Sequence, residues 1–168
     1  MSAAVDALLA RLADAEARLA EHAAAEDRGL PSGLTEPDPG GTERWEAGHV
    51  WAHLAEFPAY WLGEVRRVIA EADAGDHAPP RFGRVKTDPG RLAAIERDRH
   101  TDPAALLERV RASLAEVVDA ARGLPDAHWR LTGAHPTLGE MSVERIVERF
   151  IVEHLEEHAD QLDALRRG

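Results

Sequence analysis

His154 and His158 stand four residues apart between Ile151 and Leu162. That spacing is one helical turn, so both imidazoles leave the same helix face. The face is apolar, because Val147, Ile151, Leu162 and Leu165 continue it above and below. A buried polar side chain left unsatisfied costs about 1–3 kcal/mol, so two histidines in a hydrophobic stripe need a compensating partner. A metal ion satisfies one nitrogen of each ring at once. Two imidazoles form only a clip, and many metals require three or four protein ligands. The best third candidate is His53, in an apolar stripe with Val50, Leu54 and Phe57. Three neutral imidazoles leave an open position for water or substrate.

His49 lies one turn before His53. If both pairs meet, the site gains a fourth imidazole and becomes closed and structural. His53 ranks first because it is better embedded in the stripe, which leaves His49 behind the site or at its mouth. His22, His77, His100, His128 and His135 fall in loop or solvated contexts and read as surface residues. The chain has no cysteine, so any metal takes nitrogen and oxygen ligands and no disulfide framework exists. A divalent ion is the expected cofactor, with zinc and nickel foremost among the metals that accept imidazole.

These side chains need elements to carry them, and helical periodicity dominates the sequence. A first helix is expected over residues 2–25, with Ser2 as N-cap and Val5, Leu8, Leu9, Leu12 and Leu19 as its stripe. Residues 29–41 are rich in Pro and Gly and read as a loop. A second helix is expected from Thr42 as N-cap, with Trp45 and Glu46 in its first turn, to about Gly75. Pro58 removes a backbone hydrogen bond and should kink it after His53. Residues 76–91 read as a crossover loop, and a short helical piece over 92–99 follows. A third long helix starts at Thr101-Asp102-Pro103, with Pro103 at the favoured first position, and Gly123 stops it. Residues 124–139 read as a loop carrying Trp129 and His135, and the last helix begins around Met141 and Ser142. The expected fold is all-α, a four-helix bundle with long loops after helices 1, 2 and 3, in one domain over residues 1–168. Bundles build cofactor sites from inward side chains on facing helices, as the histidines require.

The chain has 168 residues, enough for one domain with its own core. Its formal net charge is −11. An acidic field repels phosphate backbones and anionic headgroups, which argues against nucleic acid and membrane as partners. The start lacks the basic region of a signal peptide, and no apolar run approaches the ~18–20 residues of a membrane span. A cytoplasmic protein acting on a small-molecule substrate is the expectation.

With these residues in hand, the chain resembles the DinB-like family (DinB/YfiT type), which includes mycothiol- and bacillithiol-linked transferases. The resemblance rests on Trp45, Val50, His53 and Leu54, then Tyr60 and Trp61, in the second helix. In the last helix it rests on Met141 to Arg145 and on His154, His158, Gln161 and Leu162, with Asp102-Pro103 and Trp129 between. It implies a four-helix bundle, often dimeric, with a divalent ion on His53, His154 and His158. It also implies thiol transferase, thiol-dependent isomerase or metal-dependent hydrolase activity, with a low-molecular-weight thiol as co-substrate. His49 is no part of the family's usual triad.

Two functional readings follow. In a metal-dependent enzyme, the ion activates a water or a thiol, as a thiol S-transferase or a hydrolase. Glu56 or Glu157 would act as base or orienting group there, and Tyr60, Trp61 and Trp129 would wall a pocket. Arg81, Arg84 and Lys86 of the crossover loop would meet substrate carboxylates. In a non-catalytic module, the metal pins helices together and the bundle binds a ligand or dimerises.

Overall fold

The computed structural model describes residues 3–26, 29–37, 42–75 and 78–168. The expected bundle is there. Helix α1 (Ala3–Ala25) and α2 (Ala47–Asp73) precede a short α3 (Pro89–Asp98), and α4 (Pro103–Gly123) follows. A hairpin of β1 (Thr132–His135) and β2 (Gly139–Ser142) leads into the last helical run. That run comprises α5 (Val143–Val147), a π-helical turn (Glu148–Val152) and α6 (Glu153–Arg167). α2 packs on α4 and on the last run, and α1 packs on the same two. Ser2, expected as the first N-cap, and His77 lie outside the described residues.

Apolar residues at helical spacing explain this packing. Val5, Leu8, Leu12 and Leu19 of α1 meet Val50, Leu54, Phe57 and Val65 of α2 in one core. Leu106, Val110 and Leu114 of α4 join them, as do Ile151, Leu155 and Leu162 of the last run. Local chemistry fixes the ends. Asp102 accepts a hydrogen bond from the Ala104 amide at 3.2 Å, with Pro103 at the first helical position. Ser142 accepts from the Arg145 amide at 3.2 Å. α2 runs unbroken through Pro58.

Three expectations about elements need correction. α2 begins at Ala47 rather than Thr42, and the residue before it, Glu46, makes no side-chain cap. α3 starts at Pro89, inside the expected loop, because Asp88 caps it by accepting from the Arg91 amide at 2.8 Å. The expected loop over 124–139 holds a short 3₁₀ turn, His128–Arg130, and the hairpin, whose register pairs Thr132 with Ser142 and His135 with Gly139. The crossover docks on this hairpin: the Ala134 amide donates to the Pro80 carbonyl at 2.8 Å, and the Phe82 amide to the Ala134 carbonyl at 3.2 Å. A four-residue strand is too short to show alternation in sequence.

The π turn ends just before the histidine pair. π turns inside α-helices recur at functional sites. Glu148 in this turn takes the Arg11 guanidinium at 3.1 Å, and the same guanidinium makes a two-pronged pair with Glu156 at 2.9 and 2.7 Å. α1 is thereby tied to both sides of the turn.

Candidate metal centre

α2 delivers His53 and α6 delivers His154 and His158 to one point. The ring centroids lie 5.2 Å apart for His53 and His154, 5.0 Å for His53 and His158, and 4.6 Å for the α6 pair. One ring nitrogen from each falls within 4.8 Å of the other two, and His53 Nε2 is 3.0 Å from His154 Nε2. A tetrahedral ion with bonds of about 2.0–2.1 Å needs its nitrogens roughly 3.4 Å apart, inside that range. His53 and His158 are buried and His154 is partly exposed.

The partners of the outer nitrogens set the tautomers. His53 Nδ1 donates to Glu56 Oε2 at 3.2 Å, and His158 Nδ1 to Gln161 Oε1 at 2.8 Å. With Nδ1 protonated, each ring turns an Nε2 lone pair inward, the arrangement that orients metal-binding histidines. Burial, reinforced by His158, His154 and Arg91, holds His53 well below the usual imidazole range. Burial, with His158 and Arg149, does the same to His154. Both rings are therefore neutral donors at neutral pH. His53 Nε2 and His154 Nε2, 3.0 Å apart, can share one proton between neutral rings, and a divalent ion can take that proton's place, so the donor set fits such an ion.

Glu56 is the orienting carboxylate. Burial raises its pKa, and the bond from Arg84 opposes that rise. Arg84 Nη2 donates to Glu56 Oε2 at 2.7 Å, and its guanidinium lies 3.9 Å from the Tyr60 ring centre. Glu157 is exposed and pairs with Arg149 at 2.8 Å, so it faces away from this work. Trp45, in an extended segment before α2, stands parallel to His158 and edge-on to His53. Phe57 packs 4.5 Å from His154.

The other sequence candidates separate. His49 is partly exposed near Glu46 and lies outside the cluster. Trp61 stacks on Phe150 at 4.1 Å and Trp129 is buried, so both serve the core. Arg81 pairs its backbone with Ala134. His100 is exposed and His128 is partly exposed beside Asp73. His22 and His135 are buried, contrary to their reading as surface residues. His22 donates to Asp163 across two helices at 3.0 Å, and His135 packs on Phe150 through the hairpin. His22 follows Leu19 by three residues on the α1 stripe, so its burial has a helical signal, whereas the packing of His135 has none. Gln161, one turn beyond His158 and among the residues that carry the family resemblance, takes its role from the contact with His158 Nδ1.

The comparisons bear on this geometry. The profile of the mycothiol maleylpyruvate isomerase N-terminal domain family matches residues 33–163. No curated protein matches the chain. YfiT from Bacillus subtilis, described as a probable metal-dependent hydrolase with an unusual four-helix bundle topology, superposes with a TM-score of 0.74 at 18% identity over 99% of this chain and 89% of its own. The mycothiol-dependent maleylpyruvate isomerase superposes with a TM-score of 0.67 at 16% identity over 96% of this chain, which spans 63% of the isomerase. The colibactin self-resistance protein ClbS, solved with double-stranded DNA, gives 0.67 at 14% identity over 98% of this chain and 96% of its own. ClbS corrects one expectation, since a bundle of this shape does hold nucleic acid. The net charge of −11 does not exclude that partner, because phosphate contacts depend on local patches while net charge averages the whole surface. Among the described residues no helix is long and apolar enough to cross a membrane.

Proposed function

We propose that this chain, which belongs to the mycothiol maleylpyruvate isomerase N-terminal domain family, is a metal-dependent enzyme whose ion rests on His53, His154 and His158. The reaction is thiol S-transfer or hydrolysis. The observation that carries this reading is the meeting of three ring nitrogens within 4.8 Å, two of the rings braced from behind. A divalent ion there, zinc or nickel, would supply Lewis acidity, which for zinc lowers the pKa of a water to about 7 and would likewise favour the thiolate of a low-molecular-weight thiol. Glu56 holds the His53 ring in its tautomer, and Arg84 holds Glu56. Gln161 does for His158 what Glu56 does for His53. Trp45 and Phe57 shield the ring faces from water.

Metal analysis of the purified wild type beside His53→Ala and His154→Ala tests the reading. The wild type should hold about one ion per chain and both variants close to none, with helical circular dichroism retained in all three. Full retention of metal in both variants would overturn it. Chelation separates an enzyme from a metal-pinned module. A structural zinc is worth about 10–16 kcal/mol of apparent folding free energy, so a chain that unfolds with chelator would favour the module.

A further inference from the structure

We infer that Trp45 is a positioning residue of the three-histidine centre, placed there at the expense of the first turn of α2; this rests on the metal-site reading above. The indole lies parallel to His158, with centroids 6.0 Å apart and planes 10° off, and meets His53 edge-on at 5.3 Å and 85°. These contacts restrict rotation of two of the three imidazoles about the bonds that aim Nε2 at the centre.

Chain geometry shows that the contact is built. Trp45 precedes His53 by eight residues. Inside one continuous helix, residues eight apart are about 12 Å apart along the axis, too far for a 5.3 Å ring contact. Thr42 is a good N-cap type for a helix that would include Trp45. Instead, 42–46 stays non-helical and α2 opens at Ala47 without a side-chain cap. Buried Thr35 holds the segment in place. Its amide donates to the Trp45 carbonyl at 2.8 Å, and its hydroxyl accepts from the Trp45 amide at 3.0 Å. Arg44 Nε adds a bond to the Thr35 carbonyl at 2.9 Å. On the other flank the Arg91 guanidinium sits 5.1 Å from the indole centre, anchored by the Lys86 carbonyl at 2.8 Å. Helix propensity is overruled by contacts that converge on the histidines. Such local conflicts mark functional positions.

The test compares wild type, Trp45→Ala, Trp45→Phe and Thr35→Val by three readouts. These are zinc affinity by competition with a chromophoric chelator, the visible spectrum of the cobalt-loaded protein, and thermal unfolding of the metal-free protein. Outer partners of metal-binding histidines are worth about 10–100-fold in affinity. Trp45→Ala should lose zinc affinity in that range and shift the cobalt bands, while Trp45→Phe recovers most of both. Thr35→Val keeps the indole but frees its segment, so it should weaken zinc binding by a smaller factor. Metal-free melting should fall by only a few degrees, a smaller loss than that in zinc affinity, because Trp45 is partly buried and Thr35→Val orphans one amide. Wild-type zinc affinity and cobalt spectrum in Trp45→Ala and Thr35→Val would overturn the inference. So would affinity losses matched by equal losses of metal-free stability, which would make Trp45 a packing residue. Should Trp45→Ala fail to fold, Trp45→Phe and Thr35→Val decide alone. A wild type that binds neither zinc nor cobalt would instead sink the functional reading itself.

Discussion

Metal binding at this centre should release few protons, even in mildly acidic buffer. An ordinary imidazole has a pKa of about 6.5, so two such rings together carry about 1.5 protons at pH 6. Those protons must leave before the nitrogens can bind a cation. Between pH 7.5 and 5.5 each ordinary ring weakens a site about tenfold, and two weaken it about a hundredfold. His53 and His154 depart from that behaviour because burial holds both well below the usual range, with positive neighbours adding to the effect. Their shared contribution to the loss should therefore fall well short of a hundredfold. Titration calorimetry with zinc at pH 6, in two buffers of different ionisation enthalpy, counts the protons directly. Fewer than about one proton per ion is the expected result. Release of about 1.5 protons or more per ion exceeds what a single ring can supply, so it would show His53 or His154 solvated and would refute the burial argument. The sign for the metal-free chain is the converse. The unfolded chain takes up protons first as pH falls through about 6.5, so these two histidines lose stability for the fold on the acid side.

Two further substitutions probe the frame around the site. A Cβ on Gly48 would overlap the carbonyl oxygen of Arg99, a backbone atom at the end of α3, so Gly48→Ala should destabilise by about 1–3 kcal/mol. At about 2–4 °C per kcal/mol for a chain of this size, the drop is readable by thermal melting, and an unchanged melting temperature would show that α3 is loosely docked. Glu26 is buried, accepts from Trp51 Nε1 at 2.6 Å, and among the described residues leaves Oε1 without a hydrogen bond. Burial raises its carboxyl pKa against the opposing bond from Trp51, so the ionised form costs stability at neutral pH and stops doing so below about pH 4.5. Glu26→Gln keeps an acceptor for Trp51 and should stabilise the metal-free protein by roughly 1 kcal/mol at pH 7. The gain should fade as pH drops towards 4.5, and a variant less stable than wild type at pH 7 contradicts the argument.

The sequence disclosed what a helix period can disclose. His154 and His158 share a face at one-turn spacing, and the apolar neighbours of His53 aim it inward, so their meeting was legible before any coordinates. What completes the site was less so, because it comes from contacts between segments. Arg84 reaches Glu56 from 28 residues away, across a crossover whose path no local pattern fixes. Thr42 is a good cap and predicts a helix through Trp45, whereas the clasp to Thr35 that prevents it is a tertiary contact. The π turn before His154 escapes a periodicity reading because one wide turn shifts an apolar stripe by less than the stripe's own width.

Electrostatics shows the same divide between whole-chain and local properties. The chain carries a net charge of −11, from which a negative field at every site would be a natural inference. The groups outside the cluster that bear on His53 and His154 are nonetheless positive: Arg84 and Arg91 on the first, Arg149, Arg91 and Lys86 on the second. Glu56, the carboxylate bonded to His53, is matched by Arg84. Many carboxylates instead lie along the last helical run, where Glu148, Glu153, Glu156 and Glu157 pair with Arg11, Arg145 and Arg149. A total charge describes mainly such groups. Within a few ångströms of the imidazoles, the order of charges along the folded chain governs, and there it favours neutral rings.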